Sequence, residues 1–257
     1  MDADSPGARR MSKWRVWMAV CLLAYSLVAF AAPANRKLAE IRSQLAVEYA
    51  GLGNLPIALA SANEAVQADD SFVGAYLTRA YVYNLMHLDS DAEKNFLKAL
   101  QVDSSSPEAN NNYGQFLCEH ERPRAAMDYF AKAIANPLYQ TPQTAYLNMG
   151  RCSVKLGENT QANDYLLTAL QMAPNYLPAL RELAALHLEL GNAKLASFYF
   201  GRLQQAAGNA LQGADVLWLG VQIARKGGDR VHEAEYSSAL KSRYPDSKET
   251  QLLLSGS

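Results

Sequence analysis

This sequence has little of the material from which catalytic and metal centres are usually built. Among 257 residues there are three cysteines and four histidines. Neither a His-Glu-x-x-His motif nor a glycine-rich phosphate loop occurs. Cys118 and His120 lie two residues apart, but a tetrahedral zinc site needs two further ligands, and side chains two apart on a helix point in different directions. The sequence therefore predicts no enzyme activity, no metal and no cofactor.

An excess of charge of one sign is also missing. The chain carries 24 Lys and Arg and 25 Asp and Glu, which gives a net charge of −1, and the two signs are mixed throughout. Nucleic-acid binding needs a basic patch or stripe, so a protein partner is favoured over DNA or RNA. Alternating runs of Val, Ile and Thr, which are typical of strands, do not occur, whereas helix formers dominate.

A single long apolar run lies near the N-terminus. Residues 16–30 read VWMAVCLLAYSLVAF, basic residues precede them, and Ala-Phe-Ala stands at residues 29–31. This is the pattern of a secretory signal peptide, which we predict over residues 1–32. Met11 is an alternative start of translation, because the residues before it include two aspartates, whereas the first part of an export signal is normally basic. The run is short for a transmembrane helix, which needs about 20 residues; an uncleaved N-terminal anchor is the alternative.

Cys21 lies inside this apolar run and raises the question of lipidation. A bacterial lipoprotein signal carries Leu three residues before the lipidated cysteine and a small residue directly before it. Here Met18 and Val20 occupy those two positions. Lipidation of Cys21 therefore stands as the alternative to a simpler interpretation, in which this cysteine is removed with the signal peptide.

The chain from Pro107 onward repeats itself. The stretch PEANNNYGQFLCEHERPRAAMDYFAKAIANPLY matches QTAYLNMGRCSVKLGENTQANDYLLTALQMAP, which begins at Gln143, once the inserted Thr141-Pro142 is set aside. Gly114 then falls on Gly150. A period of 34 residues built as two helices is the tetratricopeptide repeat (TPR) signature. One such repeat cannot bury its own apolar face, so neighbouring repeats must stack and share a core.

Extended in both directions, this period predicts an all-α fold. We expect a right-handed superhelix of about six TPR helix-turn-helix repeats over residues 33–246, followed by a C-terminal tail at residues 247–257 that forms a short helix. Each repeat consists of a first helix, A, and a second helix, B, and positions within repeats one to five are counted from Ala39, Val73, Pro107, Gln143 and Leu177. Small residues recur at the eighth and twentieth positions, where helices A and B approach closely. Glycine at the fifteenth position ends helix A in a left-handed conformation, although His87 and Glu121 replace it in repeats two and three. His187 is interpreted as a half-buried packing residue.

Cys118 and Cys152 are the cysteines that stay in the protein after signal cleavage. They lie on the A helices of repeats three and four, which are neighbours in the stack. An exported protein enters an oxidising compartment, in which two cysteines on neighbouring helices tend to form a disulfide. We therefore predict a Cys118–Cys152 disulfide; the alternative is two free, buried thiols that pack as small apolar residues.

The inner curve of a TPR superhelix is lined by helix-A positions two, five, nine, twelve and thirteen. Aromatic, amide and arginine side chains at these positions suit peptide recognition, because they offer apolar area and directed hydrogen bonds. The alternative is that any solenoid exposes some polar surface there. The predicted partner groove consists of Leu77, Tyr81, Asn84, Asn111, Gln115, Glu119, Leu147, Arg151, Lys155, Arg181 and Glu189.

Two stretches resemble a known family. The N-N-Y-G-x-F-L-C run of repeat three, followed by Pro137-Leu138-Tyr139 and Pro142, is similar to the PilF/PilW family, and so is the ending ALKSRYPDSKETQ. The members of this family are the pilotins, or biogenesis and stability proteins, of type IV pili in Gram-negative bacteria. The resemblance covers nearly the whole mature chain. Family members are typically lipoproteins, yet no cysteine stands at the predicted cleavage site, so lipidated and soluble forms both stay open.

The resemblance implies a non-enzymatic role in type IV pilus biogenesis. Such a protein is an exported TPR adaptor that binds the secretin subunit and promotes its outer-membrane localisation and multimer assembly. It is expected in the periplasm, with attachment to the outer membrane through a lipid or through its partner. The alternative function is a periplasmic TPR scaffold that organises other envelope proteins, such as cell-wall hydrolases.

Overall fold

The computed structural model describes residues 35–208 and 213–256. Within these ranges the chain forms thirteen α-helices and no strand. The first helix, α1, is described over residues 35–51. The others are α2 (Leu55–Ala68), α3 (Val73–Leu85), α4 (Asp89–Val102), α5 (Pro107–Glu119), α6 (Pro123–Ala135), α7 (Pro142–Lys155), α8 (Asn159–Met172), α9 (Leu177–Glu189), α10 (Ala193–Ala207), α11 (Ala214–Gly227), α12 (Arg230–Arg243) and α13 (Lys248–Ser255).

The first twelve helices form six consecutive pairs, and the predicted all-α TPR fold is confirmed. The odd-numbered members, α1 to α11, are the A helices, and the even-numbered members, α2 to α12, are the B helices. The additional helix α13 lies in the predicted tail. The signal peptide, the Met11 start and the Cys21 alternative all lie outside the described residues.

The chain divides into two compact units. The N-terminal unit extends to Ala109 and the C-terminal unit begins at Asn110. In the N-terminal unit, alanines of α1 and α2 pack with Val82 of α3. In the C-terminal unit, a larger apolar cluster extends from Leu147 of α7 to Ile223 of α11. Each core therefore joins helices of consecutive repeats, as a stacked array requires.

The turns between helices A and B share one backbone conformation. Gly53, Gly157 and Gly191 have φ angles of 75°, 74° and 74°, in the left-handed region that glycine adopts without steric cost, as predicted. His87 and Glu121 adopt the same conformation at φ of 57° and 59°. A side chain is tolerated there, although non-glycine residues rarely visit this region. The turn geometry is thus imposed by the stacking of the helices even where the favoured residue is missing.

The helix starts explain how the two-residue insertion is accommodated. Thr141 is the N-cap of α7 and Pro142 lies in its first turn. Proline is tolerated in the first turn because the N–H that it lacks has no partner within the helix there. Pro123 opens α6 in the same way, as predicted. The insertion therefore extends the start of an A helix and leaves the following repeat in register.

Small residues allow the helices of one repeat to approach closely. The alanines at the twentieth position have no exposed surface; they are Ala58, Ala92, Ala126, Ala162 and Ala196. At Gly114, an added Cβ would lie 2.7 Å from the Phe130 ring, and at Gly150 it would lie 2.7 Å from Leu166. Such distances are well below van der Waals contact, so each large core side chain occupies the space that a glycine leaves open.

Candidate partner-binding surface

Three residues of the predicted groove lie on α3 in the N-terminal unit. Tyr81 is exposed over 42% of its surface, whereas Leu77 is buried at 8%. Asn84 is half-buried. Tyr81 therefore exposes part of its aromatic ring at the surface, while Leu77 contributes to the packing of its own unit.

The other eight predicted residues lie on α5, α7 and α9 of the C-terminal unit, and two of them are buried. Asn111 is 4% exposed and Leu147 is 2% exposed. The amide Nδ2 of Asn148 on α7 donates to Oδ1 of Asn111 at 3.1 Å, and Leu147 belongs to the apolar core. Both residues stand at the fifth position of helix A, as Leu77 does. This correction removes all three from the binding surface, because their side chains pack inside the fold.

The six remaining residues keep polar atoms at the surface, and we call them the A-helix face. They are Gln115, Glu119, Arg151, Lys155, Arg181 and Glu189. Nε2 of Gln115 donates to Oε1 of Glu119 at 2.8 Å, one turn further along α5. Nζ of Lys155 donates to the carbonyl oxygen of Cys118 at 3.0 Å. The amide is therefore oriented by a neighbour within the face, and the amine by the backbone of α5.

A chain of ion pairs links the A helices of repeats four, five and six. Nη2 of Arg151 lies 2.9 Å from Oε1 of Glu182, and Nη2 of Arg181 lies 2.8 Å from Oδ2 of Asp215. Arg181 also approaches Glu182, at 3.8 Å. These side chains are between 25% and 50% exposed, so solvent screens each pair and its contribution to stability is small. The pairs nevertheless fix the direction of both guanidinium groups.

Glu182, Asp215 and Asn148 are residues that the sequence prediction missed. Glu182 follows Arg151 by 31 residues, and Asn148 follows Asn111 by 37. Both separations are close to the repeat period of 34, which places two residues side by side on successive A helices. A search for opposite charges about one period apart would have found the acidic partner of Arg151.

The structure brings the two predicted cysteines together. The sulfur atoms of Cys118 and Cys152 are bonded, and their Cα atoms lie 5.8 Å apart, within the range that disulfides require. Cys152 has no exposed surface and Cys118 is 4% exposed. The bond joins α5 to α7, next to the hydrogen bond that Lys155 makes with the Cys118 carbonyl.

His187 and His120, which could in principle take part in catalysis or metal binding, pack against aromatic rings. The ring of His187 stacks on Tyr199 at 5.5 Å, and burial lowers the pKa of this histidine. It is 8% exposed, more deeply buried than predicted. The ring of His120 lies 4.2 Å from Phe116. Among the described residues, no group of three His, Cys, Asp or Glu side chains could hold a metal ion, and no helix has the length and apolarity to cross a membrane.

Comparison with known proteins supports the repeat architecture and identifies a related protein. The tetratricopeptide repeat family matches residues 143–176, the fourth repeat of the array. The chain is 30% identical over 208 residues to the type IV pilus assembly protein PilF of Pseudomonas aeruginosa, and the alignment covers 81% of each protein.

Solved structures agree with the sequence comparison. A crystal structure of PilW, a widely conserved type IV pilus biogenesis factor, matches with a TM-score of 0.75 and 37% identity over 84% of this chain and 98% of PilW. The structure of Pseudomonas aeruginosa PilF matches with a TM-score of 0.70 and 28% identity over 87% and 100% of the two chains. TPR scaffolds of this type are typically non-enzymatic and mediate protein–protein interaction. This chain therefore belongs to the PilF/PilW family of type IV pilus biogenesis TPR proteins.

Proposed function

We propose that this protein is an exported adaptor that binds the secretin subunit of the type IV pilus. In this proposal it promotes the localisation of the secretin in the outer membrane and its assembly into a multimer. The observation that carries the proposal is the similarity to PilF over 81% of both chains, together with an array that presents polar helix faces. The protein acts by binding alone and not as an enzyme.

Two surfaces support binding of a protein partner. The A-helix face offers amide, carboxylate and guanidinium groups that neighbouring side chains already orient. Groups held in this way lose little conformational entropy on binding. Tyr81 adds a half-exposed ring on α3, and tyrosines are enriched among the residues that dominate binding energy. We propose that these residues bind the secretin subunit.

The proposal places the protein in the periplasm. A signal peptide within residues 1–32 directs export. Cleavage near Ala32 removes Cys21, so that the partner attaches the protein to the outer membrane, whereas cleavage directly before Cys21 leaves a lipidated cysteine as the attachment. The Cys118–Cys152 disulfide forms in this oxidising compartment. The mass of the mature N-terminus distinguishes a chain that begins at a lipidated Cys21 from a chain cleaved near Ala32. Mass spectrometry without reductant tests the disulfide. Reaction of both thiols with an alkylating agent would contradict it.

Deletion of the gene tests the function directly. We expect the loss of detergent-resistant secretin multimers from the outer membrane and the loss of twitching motility, both restored by the wild-type gene. Normal multimers and normal twitching in the deletion strain would refute the proposal. Co-purification dominated by cell-wall hydrolases, with unaffected secretin, would instead support the scaffold alternative.

Charge variants test the A-helix face. The double variant Arg151→Glu, Arg181→Glu reverses both guanidinium charges and should lower secretin binding, measured with the purified proteins. Because these arginines also pair with Glu182 and Asp215, the control is a fourfold variant that adds Glu182→Arg and Asp215→Arg. This control restores the pairs of opposite charge between the helices, but the charges at positions 151 and 181 stay reversed. Unchanged secretin binding by a folded double variant would exclude these arginines from the interface.

A further inference from the structure

A pocket of about 390 Å³ lies between the last two repeats, among α10, α11 and α12. This volume is within the range of about 300–1,000 Å³ that is typical of ligand sites. The pocket does not include any residue of the A-helix face. Its floor is apolar, with Phe200 and Ile223 each 3% exposed. The repeats thus leave a defined space that no core side chain fills.

Glycines on the pocket wall keep this space open. At Gly201 on α10 and Gly227 at the end of α11, an added Cβ would meet no heavy atom within 4 Å. Neither residue has a left-handed backbone, so neither packing nor backbone conformation requires glycine. Glycine inside a helix is less favourable than alanine, and Gly201 therefore weakens α10 without a packing benefit. Gly220 differs, because a Cβ there would lie 2.8 Å from the Phe200 ring and 2.9 Å from Tyr236.

The rim of the pocket carries the Tyr236 and His232 rings and a carboxylate, next to Phe200 of the floor. The rings of Phe200 and Tyr236 meet edge to face at 5.6 Å, and the His232 ring stacks on Tyr236 at 5.9 Å. Oδ2 of Asp229 lies 2.6 Å from Nδ1 of His232. Asp229 is the one carboxylate among the described residues that line the pocket. Its hydrogen bonds from His232 keep its pKa below the ordinary value, so the carboxylate stays ionised.

We propose that this pocket binds a lysine or arginine side chain of a partner protein. The apolar stem of such a side chain covers Phe200, and the space next to Gly201 and Gly227 accommodates its width. The cationic head meets the Asp229 carboxylate, whose side chain is 48% exposed and whose oxygens can accept further hydrogen bonds beside those from His232. An amphipathic side chain with an apolar stem and a charged tip matches both the floor and the rim.

Small side-chain analogues test this pocket without any partner. In ¹H–¹⁵N spectra of the purified full chain, n-butylguanidinium should shift the amide signals of Gly201, Gly220 and Gly227 in a saturable manner, and n-butanol should shift them much less. Because the measurement involves no secretin, its result is independent of the proposed pilus function. Absence of these shifts, or equal affinity for n-butanol, would overturn the proposal.

Two variants test separately the charge of Asp229 and the empty volume beside Gly201. Asp229→Asn keeps the N-cap of α12, because asparagine caps α2 and α10 in the same way, and should weaken n-butylguanidinium binding by about tenfold. Gly201→Leu should fill the pocket and abolish binding while the thermal midpoint stays equal or rises. Asp164→Asn and Gly51→Leu are matched controls at exposed helical positions outside the pocket. Wild-type affinity in either pocket variant would refute the site.

Discussion

Two junctions of the C-terminal unit are held by different forces. Between repeats three and four, α5 and α7 share the Cys118–Cys152 bond and the buried hydrogen bond from Asn148 to Asn111. Between repeats five and six, α9 and α11 share the Arg181–Asp215 pair, in which the two side chains are 40% and 50% exposed. The first junction adds a covalent bond and a buried hydrogen bond that water does not reach, whereas the second adds to its shared apolar core an ion pair that salt can screen. The same repeat thus supports junctions that respond to different conditions.

The fifth position of helix A contributes differently to the two junctions. Asn111 and Arg181 both stand there, on α5 and α9. The short amide of Asn111 stays buried and bonds to one neighbour on α7. The long side chain of Arg181 reaches the surface and bonds to Asp215 at the start of α11. A single position therefore serves packing in one repeat and surface charge in another.

Removal of the disulfide should have the largest effect on the first junction. The bond closes a separation of 34 residues, for which the chain-entropy treatment gives about 3–4 kcal/mol. We expect Cys118→Ala with Cys152→Ala to lower the free energy of unfolding by this amount in urea denaturation. Reductant should lower the wild type to the same level and leave the double variant unchanged. A wild type with equal stability in both conditions would contradict the prediction.

The buried amide pair should have the next largest effect. Asn148→Leu leaves Oδ1 of Asn111 without the donor shown in the structure, and an unsatisfied buried polar group costs about 1–3 kcal/mol. Adding Asn111→Leu removes both amides and should restore part of this loss. A double-mutant cycle in urea denaturation measures the coupling. Additive losses would show that the two amides do not stabilise this junction together.

The ion pair of the second junction should contribute less. Exposed pairs contribute about 0.2–1 kcal/mol, and salt screens them. Arg181→Ala should therefore lower the free energy of unfolding by at most that amount at low salt and by nothing measurable at 1 M NaCl. The charge-swapped variant Arg181→Asp, Asp215→Arg should recover only part of the low-salt loss, because Glu182 lies beside position 181. A loss that persists at high salt would indicate that Arg181 contributes through packing of its stem.

Two histidines, His187 in repeat five and His232 in repeat six, should give small pH effects of opposite sign. Burial holds the pKa of His187 below its ordinary value of 6.5. Below that pH the unfolded chain binds more protons than the folded chain, so stability falls as the pH falls. Asp229 raises the pKa of His232, so the contribution of His232 is complete below pH 6.5 and is lost as the pH rises through the raised pKa.

Thermal unfolding between pH 5 and pH 8 compares these two histidines. His187→Phe, which keeps a ring against Tyr199, should weaken the loss of stability at acidic pH. His232→Gln should leave that acidic loss in place and remove the decline at higher pH. The same pH dependence in both variants and in the wild type would show that neither histidine is responsible.

The sequence predicted the repeated architecture because its signals are local and periodic. The match of Gly114 with Gly150 fixed the register, and the turn glycines fixed where helix A ends. The same register placed Cys118 and Cys152 on adjacent A helices. It failed for Asn111 and Leu147, because periodicity assigns a residue to a position but not to the inside or the outside of a particular junction. That outcome depends on the size of the side chain and on the residue opposite it.

Helix ends, turns and the pairing of helices follow from the chain alone, because backbone preferences and apolar spacing act over a few residues and recur every 34. The partners of Arg151 and Arg181 and the pocket beside Gly201 depend on how two helices from different repeats are separated and rotated. Interactions of that kind span tens of residues and are set by close packing of the whole stack. Only the folded arrangement therefore shows which polar groups bind each other and which stay exposed at the surface.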